Sequence, residues 1–216
     1  MANLRSGTYG DYYGSFFSES EPLTADEMAV NAKYIFSALT AQGWTLNAIS
    51  AMLGNMQAES SINPGRWQSE GIGSETLGYG LVQWTPSTKY TGWCTEQGFS
   101  DPSEMDNNIA RILYEVANGL QWIATDTYSL SFSDFSTSTL TVSELAKAFL
   151  LCYERPADQS ETVQEYRASL AEAWYTVLSG ETPDPEQPDT PVTTSRKRSK
   201  FNFVLFNRKR RSQWIR

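Results

Sequence analysis

The sequence predicts a mainly helical α+β domain with a small irregular or β lobe inserted after its second helix. Three observations predict it. Apolar residues recur at helical spacing in five stretches, two of them opened by Thr-x-x-Glu capping boxes at Thr24 and Thr141. Residues 65–84 interrupt that pattern with five glycines and no helical stripe. The chain has 216 residues, 40% of them hydrophobic and 13% aromatic, which is enough to bury one substantial core.

Residues 1–22 are rich in Gly, Tyr, Ser and Phe and lack a helical period, so a loose N-terminal arm is expected, packed through Tyr12, Tyr13, Phe16 and Phe17. The domain then spans 23–179. Thr24-Ala-Asp-Glu27 opens its first helix, Met28, Ala32, Ile35, Phe36 and Leu39 form the inner stripe, and Gly43 stops it. Thr45 caps a second helix with Leu46, Ile49, Met52, Leu53 and Met56 inside; Pro64 forces Asn63 out of it. Tyr79–Trp84 is the best strand of the inserted lobe. Thr85-Pro86 reads as a cap with Pro at the first helical position, for a helix ending near Gly98. Asp101-Pro102 opens another, buried through Ile109, Ile112, Leu113 and Val116. Thr141-Val-Ser-Glu144 opens the next, with Leu145, Ala148, Phe149 and Cys152 inside, ended by Glu154-Arg155-Pro156. The last helix runs from about Glu161 to Leu178, with Val163, Tyr166, Leu170, Trp174 and Val177 inward.

Composition removes much chemistry. There is no His, so a Ser-His-Asp triad, a Cys-His dyad and His-ligated zinc are all excluded. Cys94 and Cys152 are too few for a Cys-only zinc site; they are buried free thiols or a pair. No metal or cofactor is expected. The longest apolar run, Ala148–Tyr153, is far too short for a membrane span, and the first residues show no apolar core of a secretion signal.

Glu59 is the residue that stands out. It lies three positions after Met56 and seven after Met52, on the apolar stripe of its helix. Partial burial, the negative end of the helix and an acidic body all favour a carboxyl that keeps its proton, as a donor to a glycosidic oxygen must. The plainer alternative is a helix-ending Glu turned to solvent or bonded to Ser60 or Ser61.

Glu59-Ser-Ser-Ile-Asn-Pro64 followed by Gly78-Tyr-Gly-Leu-Val-Gln-Trp84 resembles the signature of soluble lytic transglycosylases and goose-type lysozymes. The longer text Met52–Trp67, then Leu77–Pro86 and Tyr153-Glu-Arg-Pro156, is closer still to the phage tail lysozyme family, over about residues 25–178. The resemblance implies a lysozyme-like, two-lobed fold and cleavage of the β-1,4 bond between N-acetylmuramic acid and N-acetylglucosamine in peptidoglycan. It implies Glu59 as catalytic acid. Ser60 and Asn63 would fix the acid and its turn, and Tyr79, Gly80 and Gln83 would line the cleft, Gly80 letting a sugar approach the backbone. The late Ala-Tyr-Asn motif of transglycosylases is missing, because Glu154 follows Tyr153. Tyr153 either supports the acid or closes the core, and Glu154-Arg155 reads as a local ion pair. Glu70 and Glu75 are candidates for a second carboxylate or solvated loop charges. Trp67, Trp84 and Trp93 offer flat surfaces for sugar rings or simply fill the core.

The resemblance places the protein in a phage tail, acting on the host wall. An endolysin, and a virion or wall-binding module without activity, are the alternatives. Charge is sharply divided: residues 1–190 hold 25 acidic and 8 basic residues, a net −17, whereas 191–216 hold 9 basic residues and no acid. A body at −17 does not attract nucleic acid through its bulk field. A Pro-rich acidic linker over 180–195 leads to the basic tail, 196–216, where Phe201, Phe203 and Phe206 lie between two basic clusters. Flexible tails are therefore expected, the basic one either solubilising or gripping anionic wall polymers, another tail protein or packaged DNA.

Overall fold

The computed structural model of the protein describes residues 3–9, 12–69 and 71–180. They are mainly helical, in the order β1 (Asn3–Tyr9), β2 (Tyr12–Phe17), α1 (Ala25–Ala41), α2 (Leu46–Ser60), α3 (Thr88–Gln97), α4 (Met105–Asn118), α5 (Phe132–Thr137), α6 (Val142–Phe149) and α7 (Glu161–Ser179). A single π-helical turn, Leu150–Glu154, follows α6 directly. The linker beyond Gly180 and the basic tail lie outside the described residues. None of the described helices is long and apolar enough to cross a membrane.

The N-terminal segment differs from the expected loose arm. β1 and β2 pair antiparallel, with Asn3 opposite Phe17 and Tyr9 opposite Tyr12. Two asparagines explain how the hairpin is fixed to the helices. The Asn31 amide copies a strand edge: its Oδ1 accepts from Phe16 N at 2.7 Å, and its Nδ2 donates to the carbonyls of Phe16 and Ile62, each at 2.8 Å. Asn63 repeats the device, accepting from Ser18 N at 3.1 Å and donating to Ser18 O at 2.8 Å. Polar side chains with paired donors and acceptors can thus stand in for a third strand.

Both predicted capping boxes form. Thr24 and Glu27 satisfy each other's backbone N–H at the start of α1, as do Thr141 and Glu144 at the start of α6. A third box, Ser131 with Asp134, opens α5, a short helix inside the Ser/Thr-rich stretch before α6. Two helices start later than expected. The Thr85 hydroxyl donates to Gln83 O at 2.8 Å, so it caps nothing, and α3 begins at Thr88 after a cis Thr85-Pro86 bond. The Asp101 carboxylate accepts from Ser103 N and Oγ in a local turn, and α4 begins at Met105.

α2 is the axis of the molecule. Every residue from Ala48 to Met56 is buried, so its expected one-sided stripe is in fact a helix enclosed on all faces. α7 lies close against it at Gly54, where an added Cβ would lie 2.5 Å from the backbone N of Ala171. That contact sets the rotation of α7. Ala168, Ala171 and Trp174 face inward with Arg167, while Tyr166 and Val177 are 55% and 48% exposed, contrary to the expected stripe. Close helix contact favours small side chains and turns large ones outward. A second packing layer is aromatic: Trp44, Trp122, Phe132, Phe135, Phe149 and Tyr153 stack or meet edge to face, with Phe149 and Tyr153 centroids 4.5 Å apart. Cys94 and Cys152 are both buried and free.

Candidate active site

Between α2 and α3 the chain is irregular. Tyr79–Trp84 is not a strand: Tyr79 makes single bridges to Trp67 and Trp84, and Gly80 and Gln83 hold the tight turn between them at φ +82° and +50°. The Ser60 hydroxyl ties this turn to the end of α2 and braces the residues that follow the helix. Ser60 Oγ donates to Leu81 O at 2.8 Å and accepts from Asn63 N at 3.2 Å. α2 itself ends on two successive left-handed residues, Ser61 at φ 60° and Ile62 at φ 51°. Ile62 is β-branched and fully buried, so packing holds a backbone geometry that such a residue ordinarily avoids.

The end of α2, this irregular segment and the π turn enclose a cleft of about 510 Å³. Glu59, Gln83 and Tyr153 line it, together with Trp67, Arg66 and Glu154. Glu59 neither points freely to solvent nor bonds a neighbouring serine. Its Oε1 accepts from the Arg167 guanidinium at 2.6 Å, and its side chain is 21% exposed. Arg167 also donates to Asn55 O at 2.7 Å, so one buried guanidinium joins α7 to two points on α2. A charge-assisted bond of this length fixes the carboxyl at the cleft wall.

The other expected residues separate into cleft and scaffold. Gln83 Nε2 donates to the carbonyls of Arg66 and Gly80, which closes the turn beside the cleft. Ser60 and Asn63 are buried and hold the turn after Glu59 without lining the cleft. Tyr79 is 4% exposed and packs on Trp67, centroids 4.3 Å apart. Gly80 has a packing reason: an added Cβ would meet Asn108 Oδ1 at 2.8 Å and the Trp84 ring at 3.0 Å. Of the three tryptophans, Trp84 and Trp93 are buried, Trp84 with one edge on the cleft; Trp67 is the more open ring there. Glu75 is exposed and away from the cleft lining, and Glu70 lies outside the described residues.

Tyr153 closes the core rather than supporting Glu59. Its hydroxyl donates to Glu115 Oε2 at 2.5 Å. Glu115, fully buried on α4, also accepts from Trp84 Nε1 at 3.0 Å and from Arg111 Nε at 2.8 Å. This carboxylate binds α4, the turn and the π turn into one floor. Burial raises its proton affinity above the usual carboxylate range, and its three donors oppose that. Sequence reading passed it over although it sits three residues after Ile112, on the edge of the stripe.

The expected Glu154–Arg155 ion pair does not form. Arg155 is left-handed at φ 48°, and its NH1 donates to Gln121 O at 2.6 Å and Cys152 O at 2.5 Å. Glu154 turns into the cleft instead, where its Oε1 is sealed from solvent without a hydrogen-bond partner among the described residues. Burial, reinforced by Glu59, pushes its carboxyl well above the usual range; Arg167 opposes. Arg167 had no sequence signal, because the expected stripe of α7 was set off by a residue.

Over 165 residues the chain is 47% identical to Morphogenesis protein 1 of Bacillus phage B103, covering 76% of this chain but 44% of that protein. The chain therefore spans less than half the length of this relative. Residues 30–178 match the family described as phage tail lysozyme, a stretch that includes α2, the cleft and nearly all of α7. The chain belongs to the phage tail lysozyme family.

Proposed function

We propose that this chain is a lysozyme-type glycosidase of a phage tail that cleaves the β-1,4 bond between N-acetylmuramic acid and N-acetylglucosamine in host peptidoglycan. The observation that carries the reading is a carboxyl, Glu59, fixed at the wall of a cleft by the end of a buried helix, in a chain of the phage tail lysozyme family. In this reading the two-lobed architecture consists of the helical body and the irregular segment after α2, with the glycan strand lying between them. Glu59 delivers a proton to the leaving oxygen as an oxocarbenium-like centre develops. The open face of Trp67 packs a sugar ring, and Gln83 and the Tyr153 region shape the rest. No cofactor takes part.

The decisive experiment is Glu59→Gln, which keeps shape but cannot donate a carboxylic proton. Clearing of purified walls should fall by roughly 10²–10⁴ with an unchanged circular dichroism spectrum. Near-normal turnover would overturn the assignment. Mass spectrometry of the wild-type products divides the mechanisms: reducing muramic ends mean hydrolysis, and anhydro-muramic ends mean lytic transglycosylation.

A second reading has an observation of its own. The Glu59–Arg167 bond fastens α2 to α7, as a purely structural pair would. The relative is named for morphogenesis, which suits a virion component that keeps the lysozyme fold for assembly or wall binding. Absence of any cleaved glycan from wild-type digests would favour that module.

A further inference from the structure

We infer that Glu154 is the second carboxyl of the site and the residue that holds the proton in the resting cleft, acting through Glu59 as a positioning residue. The inference rests on the glycosidase reading and deepens it. Its basis is geometric. Glu154 ends the π turn, and the left-handed Arg155 that follows carries the neighbouring guanidinium away to two backbone carbonyls. The carboxyl is thereby left lining the same cleft as Glu59. One of its oxygens is buried and accepts nothing among the described residues. A sealed, unpaired oxygen is tolerated far better as the carbonyl of a neutral acid than as half of an anion.

The charged groups around it divide the two carboxyls. Glu59 on α2 is in contact with Arg167 of α7, which suits an anion. The charges that act on Glu154 are those of Glu59 and Arg167, then the Glu115 carboxyl of α4 and its own neighbour Arg155, whose guanidinium bonds two backbone carbonyls. Arg167 spends its two bonds on Glu59 and Asn55, so none reaches Glu154. Burial raises Glu154 first, and the negative charge of Glu59 raises it further. Arg66, Lys89 and Arg155 also line the cleft, but of these only Arg155 is among the groups that act on the Glu154 carboxyl; Glu154 and Glu59 are the pair between which the proton moves.

The reaction then balances within that pair. The Glu154 proton passes through solvent in the cleft that both residues line to the Glu59 carboxylate, and Glu59 gives it to the glycosidic oxygen as the C1–O bond breaks and its electron pair goes to that oxygen. The leaving sugar departs as an alcohol. A new C1–O bond forms from water, or from a hydroxyl of the muramic sugar itself, and the proton that this nucleophile loses returns to the pair.

The test is the pH dependence of kcat/KM on solubilised glycan strands, measured for the full chain and for Glu154→Gln, Glu154→Asp and Glu59→Gln. Glu154→Gln should lose at least about tenfold in rate near pH 7.5. Its alkaline limb should move to lower pH by about one unit or more, with recovery toward pH 5. Glu154→Asp, which keeps a carboxyl, should hold the limb nearer its wild-type position. A uniform fall in both variants with the limb unmoved would overturn the inference, since a merely structural residue has that effect. If Glu154→Gln does not fold, Glu154→Ala takes its place and is read in the same way: a limb moved to lower pH supports the proton-holding role, and an unmoved limb rejects it. Turnover by Glu59→Gln is a separate failure, that of the glycosidase reading.

Discussion

Glu154 imposes a cost on the fold that pH exposes. Its carboxyl binds a proton more tightly folded than unfolded, because burial and Glu59 disfavour the anion. Between the ordinary glutamate range, about 4.3, and its raised value, the native state holds more protons than the unfolded one. Its contribution is therefore fully present below that range and lost as pH rises through the window. Glu154→Gln removes the titration, so the variant should melt about 2 °C or more above wild type at pH 8, and the gain should vanish near pH 4. Calorimetry at the two pH values checks both the sign and the window. A variant that is more stable and yet slower is what a functional carboxyl predicts. At this scale the place of Glu59 on an apolar stripe was legible in the spacing, and the resemblance to the phage tail lysozyme family is what set it apart from an ordinary helix-ending Glu. Glu154 and Arg167 were not. A π turn and one left-handed residue aim the first, and the rotation of α7 brings in the second; neither leaves a periodic mark.

Among elements, the contact between α2 and α7 decides the most, and two glycines separate packing from propensity. Gly54 is helical and touches the backbone of Ala171, so Gly54→Ala gains helix propensity but must push the helices apart. The expected net result is destabilisation by about 1–3 kcal/mol. Gly92, inside α3, has open space where a Cβ would stand. Gly92→Ala should stabilise by about 0.5–1 kcal/mol. Urea midpoints at unchanged slope measure both. The order of the helices and both Thr-Glu boxes could be read from the chain, because those signals are local. The late starts of α3 and α4 could not, as Thr85 and Asp101 spend their side chains on turns. The hairpin was hidden for a different reason: its anchors, Asn31 and Asn63, lie 15 and 45 residues from the backbone groups that they bind.

For the whole molecule, charge is the property that reaches furthest. On the proposed reading a body at −17 would meet an anionic wall with repulsion, and the +9 segment at 191–216 would offer the compensating attraction. In the proposed role a chain ending at Ser179 should cleave soluble glycan as fast as the full chain but sediment less with intact walls at low salt. The difference should shrink as salt rises, because screening acts over about 10 Å at 0.1 M. Equal sedimentation of the two at low salt would remove this role for the tail. The hairpin has a consequence of another kind. β2 is held by Asn31 on α1, and Ser18, next after the strand, by Asn63, four residues beyond Glu59, while Glu19 O accepts from Trp67 N at 3.1 Å. Traction applied at the first strand therefore does not dissipate in slack chain. It is carried by side-chain amides, through Asn31 to α1 and through Asn63 to the turn that follows Glu59.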